Sequence, residues 1–397
     1  MGSTSYEGNR SGRQTVLWAI AVATCGVLPV FLTGGLAVQI RTELGFGAAA
    51  LGIVVSLFFT TQALSSAPFG RMVERIGSRR GMQAAALGSA VSLLCIALFA
   101  SSRNGLFGLL VLGGLANAVA QVAANLALAR GVRTERQGLA FGMKQAAIPA
   151  ATLLSGLAVP LVGTTIGWRW AFTGCAFGAF AIACTVPKTT EDQVQHHTHE
   201  HSGDMRPMPL ILLALGIGLG SAAAVPLSAF TVESGVAAGL QVEFAGLLLA
   251  AGGIVGIVVR LALGWLADRR SGGHLRIVAA MLVVGMAGFV LLASGVSWLF
   301  VLGTVLAFGA GWGWHGLFNF AVVKYNRNAP AAATGITQTG AAAGSAVGPF
   351  LFGVIVESTT YSTAWLSAGA AALAAVAAIL AGRWMLIRHL STTSKPS

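Results

Sequence analysis

Of 397 residues, 55% are hydrophobic and only 9% charged, and Lys and Arg outnumber Asp and Glu by 24 to 12. Soluble domains carry about 25% charged residues to keep their surfaces wetted, so a disordered chain and a water-soluble enzyme are both excluded. Most of the surface must face lipid, and a net charge of +12 then reads as loop charge at a membrane rather than as a nucleic-acid footprint.

The first 13 residues are polar, and the apolar run behind them is too long for a signal-peptide core, so the first span is expected to be retained. A helix needs roughly 20 apolar residues to cross the hydrocarbon. Uncharged or nearly uncharged runs of that length predict twelve helices, at 15–40, 45–69, 81–101, 104–129, 137–163, 168–187, 208–233, 242–266, 275–294, 297–323, 331–357 and 361–386. The run 277–323 holds two of them, with a turn at Ser294-Gly295-Val296-Ser297. The expected fold class is an all-α integral membrane protein. Cys25, Cys95, Cys175 and Cys184 are scattered through apolar segments with no C-x-x-C spacing and read as small packed residues, not as disulfides or metal ligands.

With the N-terminus inside, 19 of the basic residues fall in cytoplasmic segments and three, Arg41, Arg103 and Arg169, outside. That bias predicts that both termini are cytoplasmic. The longest hydrophilic stretch, 188–207, separates an N-terminal half, 1–187, from a C-terminal half, 208–397, with six helices each. It holds His196, His197, His199 and His201, four potential metal ligands on an exposed loop with nothing to fix their geometry; a solvated linker is the expectation.

The halves repeat. Gly70-Arg71-Met72-Val73-Glu74-Arg75-Ile76-Gly77-Ser78-Arg79-Arg80 follows helix two, and Gly264-Trp265-Leu266-Ala267-Asp268-Arg269-Arg270 follows helix eight. The same offset sets Gln121 against His315, Asn125 against Asn319 and Arg130 against Lys324. One residue less sets Gly142 against Gly335 and Gln145 against Gln338. Parallel six-helix repeats around a midplane site are a transporter architecture. The two loops resemble the Gly-x-x-x-Asp-Arg-x-Gly-x-Arg/Lys signature of the major facilitator superfamily, with Glu74 for the usual Asp and the second copy losing its later part at Ser271-Gly272-Gly273. The resemblance implies two pseudo-symmetric six-helix halves, a secondary active transporter of a bacterial cytoplasmic membrane, no enzymatic activity and no cofactor; a monomer is expected. It also implies that Gly70, Glu74, Arg75, Gly77, Arg79, Gly264, Asp268 and Arg269 form a gate, whose acids pair with Arg and cap a neighbouring helix while the protein is open to the outside. Val259-Arg260 to Asp268-Arg269 is similar to helix eight of oxalate/formate exchangers and monocarboxylate transporters, where an Arg one turn before the loop Gly contacts the substrate carboxylate. The overall pattern resembles cyanate-permease-like bacterial members. Gly340-x-x-x-Gly344-x-x-x-Gly348-Pro349 in helix eleven resembles the motif that drug/proton antiporters carry in helix five, which helix five here lacks.

An ionisable group inside a span costs about 2.5–3.5 kcal/mol on insertion scales and calls for a reason. Lys144 lies inside predicted helix five and Arg260 inside helix eight, whereas all twelve acids fall in loops or at predicted helix ends. A bound anion would supply the missing charge. Asn117, Gln121 and Asn125 recur every four residues on helix four, and His315 and Asn319 do so on helix ten, so each set shares a helix face. With Gln145 and Gln338, these residues are the expected lining of a central cavity; polar contacts between helices are the competing reading. Trp312 and Trp314 flank His315, and Pro29, Pro149, Pro160, Pro226 and Pro349 are expected to kink their helices. The function expected is movement of a small anion, a carboxylate, with export of drugs or metabolites as the alternative. Proton coupling would need His315, Lys144 or the substrate's own titration; exchange or uniport would need none of them.

Overall fold

A computed structural model describes residues 3–132, 140–187, 207–270, 272–326 and 330–393. The His196–His201 cluster and nearly all of the 188–207 linker lie outside the described residues.

Among the described residues, eleven helices are long and apolar enough to cross a membrane. Trp168–Thr185, the sixth in the predicted order, is the one not among them; its 18 residues open on Trp168-Arg169-Trp170, which lowers its apolar character. Helix one runs Ser3–Gly35 and continues, after a turn at Leu36, as the short helix Ala37–Leu44. Helix two is Ala48–Ile76, helix three Ser78–Phe99 and helix four Arg103–Gly131. The fifth span covers Ala140–Gly163, and its regular part is Ala147–Ala158. Helices eight, nine, eleven and twelve are Val242–Arg269, His274–Ala293, Pro330–Ser358 and Tyr361–Thr393.

Several predicted single helices are broken, and the prolines explain only some of the breaks. Helix seven is Pro207–Ala224 followed by Pro226–Ala237, because Pro226 has no N–H to continue the ladder. It therefore ends four residues beyond the predicted 233. Pro160 sits in a π-helical turn, Val159–Gly163, at the end of helix five. Helix ten is Ser297–Leu306, a π turn Ala307–Gly311 without any proline, and His315–Tyr325. Pro29 and Pro349 stay inside continuous helices.

Helices on either side of the linker pack mainly among themselves. The main crossings between the groups are helix two with eleven, five with eight, and one with the second piece of seven. The crossings are close. Gly52 meets the carbonyl of Pro349, Gly353 that of Ala48, and Gly34 lies against Ser228 and Ala229, so a side chain at any of the three would meet main chain. Along helices five and eight, Gly253 faces Leu153 and Gly256 faces Pro149. The helices run antiparallel there, and Gly256 has both Pro149 and the Arg260 guanidinium beside it. At the Arg-rich end of the bundle the packing opens: Gly142, Gly264 and Gly335 have no neighbouring atoms within 4 Å. Among the described residues, the side-chain hydrogen bonds that join the two groups of helices lie on the side of the far face, the one opposite the basic end.

Candidate functional site

Lys144 is buried, 8% exposed, and its ammonium donates to Gln121 Oε1 at 2.7 Å and Asn125 Oδ1 at 2.8 Å. Gln121 Nε2 donates to Asn117 Oδ1 at 3.2 Å, and Asn117 Nδ2 donates to Gln62 Oε1 at 2.8 Å. The stripe expected on helix four is therefore one hydrogen-bonded row that links helix five to helix two. Asn125 is exposed and Gln62 and Gln121 are half-buried. Hydrocarbon cannot satisfy such groups, which is why they are the expected lining of a polar cavity.

Arg260 is equally buried, 8% exposed; its Nη2 donates to the Trp312 carbonyl at 3.0 Å, and its Nε is buried without a hydrogen-bond partner. His315 Nδ1 reaches the same carbonyl at 3.2 Å, and its Nε2 lies 3.1 Å from Ser221 Oγ. A carbonyl only accepts, so Nδ1 carries a hydrogen. In the neutral ring Nε2 then accepts from the Ser221 hydroxyl; in the protonated ring it donates, and the hydroxyl turns round. The pocket accommodates both forms without losing a bond. Trp314 stacks on His315 with centroids 3.9 Å apart, and Trp312 stacks on Phe31 of helix one at 6.1 Å. Both Trp residues are buried, Trp314 completely, and pack around His315 and the Arg260 contact.

In the last six helices, Gln338 Nε2 donates to Asn319 Oδ1 at 3.0 Å. This corrects the expected register. Asn319 and Gln338 are offset by the same 194 residues from Asn125 and Lys144, so the repeat needs no slip here, and Lys144 rather than Gln145 is the counterpart of Gln338. The Gln145 amide side chain makes no hydrogen bond among the described residues; its backbone N–H closes a turn onto Gly142 at 3.1 Å.

The expected gate residues are at the open face. Glu74 and Arg75 are exposed, and among the described residues Glu74 has no ion pair. Gly77 takes a φ of 87°, which favours glycine, and turns the chain into helix three. In the degraded second copy, Gly273, also at positive φ (82°) but with a different ψ, precedes helix nine. Arg79 donates to the Val186 carbonyl at 3.4 Å, Arg269 lies 3.8 Å over the Trp265 ring, and Gly70 approaches Val122 only at 4.0 Å. The side chain of Asp268 lies outside the described residues.

The far face carries contacts the sequence did not reveal. Arg41 Nη1 donates to both oxygens of Glu233 at 2.7 Å, and Tyr361 adds a hydrogen bond to the same carboxylate at 3.0 Å. Glu357 accepts from Ala49 N–H at 2.7 Å and so caps the start of helix two. Both contacts join the first six helices to the last six. Glu233 was expected at a helix end, but it is buried and lies inside a span that runs to Ala237. Glu43 pairs with Arg169 and accepts from Trp168 Nε1 at 2.6 Å. Partial burial pushes the Glu43 carboxyl up, and these two donors outweigh it and hold it below the usual carboxylate range.

A family model described as Major Facilitator Superfamily matches residues 19–325. Among solved structures, a bacterial homologue of the human lysosomal transporter Spinster, in an inward-facing and unoccupied conformation, is similar with a TM-score of 0.72 at 14% identity, covering 95% of this chain and 96% of that one. A mutant of the nucleoside transporter NupG is similar with a TM-score of 0.72 at 14% identity, covering 93% of this chain and 99% of that one. No curated protein sequence matches the chain.

Proposed function

The chain belongs to the major facilitator superfamily, and on that premise we propose that it moves a small anion, a carboxylate, across the bacterial cytoplasmic membrane by alternating access. The observation that carries this reading is the pair Lys144 and Arg260: both buried, on packed helices five and eight, and neither with an acidic partner among the described residues. A buried cation held only by neutral acceptors lacks its counter-charge. An anion between the two would supply it and favour the closed form of the cavity, which is what drives a conformational change.

The Arg-rich open face is read as cytoplasmic, with both termini there. The halves 1–187 and 208–397 then rock about the cavity, with the 188–207 linker between them. Proton coupling would need His315, Lys144 or the substrate's own titration, whereas exchange or uniport would need none of them; His315 is the candidate whose hydrogen bonds fit either protonation state.

A thermal-shift series with small anions, neutral solutes and cations on the purified protein tests the reading, since a ligand of the native state raises its stability. Carboxylates should stabilise the wild type. Lys144→Ala and Arg260→Ala should each weaken that binding about ten- to a hundredfold, the loss of a charge-assisted contact of about 1.5–3 kcal/mol. Arg260→Lys should weaken it too, because a point charge does not reproduce the planar fork. If only neutral or cationic compounds stabilise the protein, export of drugs or metabolites replaces the anion reading.

A further inference from the structure

Glu233 is held from both groups of helices, by partners of different kinds. Arg41, a cation, belongs to the first six helices and is tied to them by its own Nε, which donates to the Phe46 carbonyl at 3.0 Å. Its Nη1 donates to both carboxylate oxygens at 2.7 Å. Tyr361, a neutral donor, belongs with Glu233 to the last six helices and donates at 3.0 Å. The Glu233 side chain is 6% exposed and lies inside the apolar span Met208–Ala237. Its charge is thus neutralised, among the described residues, only across the boundary between the two groups.

Separating the groups at this face takes Arg41 away with helix one and leaves Tyr361 behind. Among the described residues no other cation is placed to take over. On the elements packed against Pro226–Ala237, the other charged groups near this face are Glu43, Glu243 and Glu357, all acidic and all exposed. Glu43 is engaged by Arg169 and Trp168, and Glu357 by the Ala49 N–H. A carboxylate left ionised in a span without its cation is strongly unfavourable. One proton from the external water relieves it. The proton adds to a carboxylate oxygen, Glu233 becomes neutral, and the Tyr361 hydroxyl, which can donate or accept, keeps a hydrogen bond to either form. We infer that Glu233 is a proton-binding site that sets the far-face seal: ionised and paired with Arg41 while that face is closed, protonated and held by Tyr361 while it is open. External acid therefore favours the open far face, and the return of Arg41 displaces the proton to water. This site is separate from His315 and Lys144 and does not depend on which substrate is carried.

The test places spin labels on cysteines at Thr42 and Thr359 in the full-length protein lacking its four native cysteines, in lipid nanodiscs without substrate. Distances are then measured from about pH 8 to about pH 5. The longer-distance population should rise severalfold as the pH falls, by no more than about tenfold per pH unit, the limit for one proton. Glu233→Gln, which has the shape of the neutral acid, should show the longer distance at every pH and no pH response. Arg41→Gln should also open the face at every pH and flatten the response, because Glu233 then lacks its cation in both forms. Glu243→Gln removes an exposed acid from the same face and should keep the response of the parent chain. A parent distance distribution that does not change with pH, or a pH response that persists in Glu233→Gln, overturns the inference. If Glu233→Gln does not fold, persistence in Arg41→Gln decides in its place; if neither folds, the parent series decides alone. Carboxylate binding, and its loss in Lys144→Ala and Arg260→Ala, is read separately, so either result leaves the other standing.

Discussion

Lys144 and Arg260 dominate the molecule at the scale of single residues because each is a full charge where the solvent is hydrocarbon. His315 presents a different case: a ring whose bonds to Trp312 and Ser221 accommodate either protonation state. If it carries a coupled proton, His315→Gln should abolish accumulation driven by a pH gradient while preserving exchange between preloaded vesicles. Unchanged pH-driven accumulation in that variant would remove the proton from His315. The two cations were legible in the sequence because a charge inside an apolar run stands out against its neighbours. Gln62 was not legible, since one Gln on an apolar helix has no periodic companion and its partner lies 55 positions away. Gln145 was misread because glutamine in both halves looks like a matched pair. The contact Asn125–Lys144, repeated as Asn319–Gln338, shows that the repeat conserves the place of a hydrogen bond and not the residue type that makes it.

Among the helices, the far-face seal is the element-scale device. Arg41 on the extension of helix one, Glu233 on helix seven and Tyr361 on helix twelve hold the outer ends together, and Glu357 on helix eleven holds the start of helix two. Opening that face must break Arg41–Glu233 and leave the Glu233 carboxylate without its cation. Arg41→Gln should therefore destabilise the closed far face by about 1.5–3 kcal/mol, enough to shift a two-state population by about tenfold or more. Spin labels on cysteines placed at Thr42 and Thr359, in a chain lacking the four native cysteines, report this as a new longer-distance population. An unchanged distance distribution in Arg41→Gln would contradict the seal. Helix existence and order were readable from uncharged runs, but the breaks inside them were only partly so. Pro226 announces one by its missing N–H, whereas the π turn at Ala307–Gly311 arises in an apolar stretch with no breaker other than its glycines. Arg41 and Glu233 could be placed at outer helix ends from the sequence, yet their pairing spans 192 residues and depends on how the two groups of helices meet.

As a whole, the two groups of helices are joined at the far face, and the signature loops sit at the opposite, basic end. The signature acids are expected to act in the outward-open state, which accords with Glu74 being exposed and having no ion pair among the described residues. Glu74→Gln and Asp268→Asn should each slow transport severalfold while leaving ligand affinity near wild type, because they act on the outward-open form and not on the cavity. Wild-type uptake rates in both would remove the gating role. The family and the twelve-helix plan were legible from charge distribution and the repeated loop, whereas the polar row became visible only through tertiary contacts. The central claim is that one anion is held between Lys144 and Arg260 and carried across. Its most direct test is uptake of the best-stabilising radiolabelled carboxylate into proteoliposomes carrying wild type, Lys144→Ala or Arg260→Ala, each normalised to folded protein. The account predicts saturable uptake by the wild type and at least a tenfold loss of kcat/KM in each variant. Wild-type kcat/KM in both variants would contradict it.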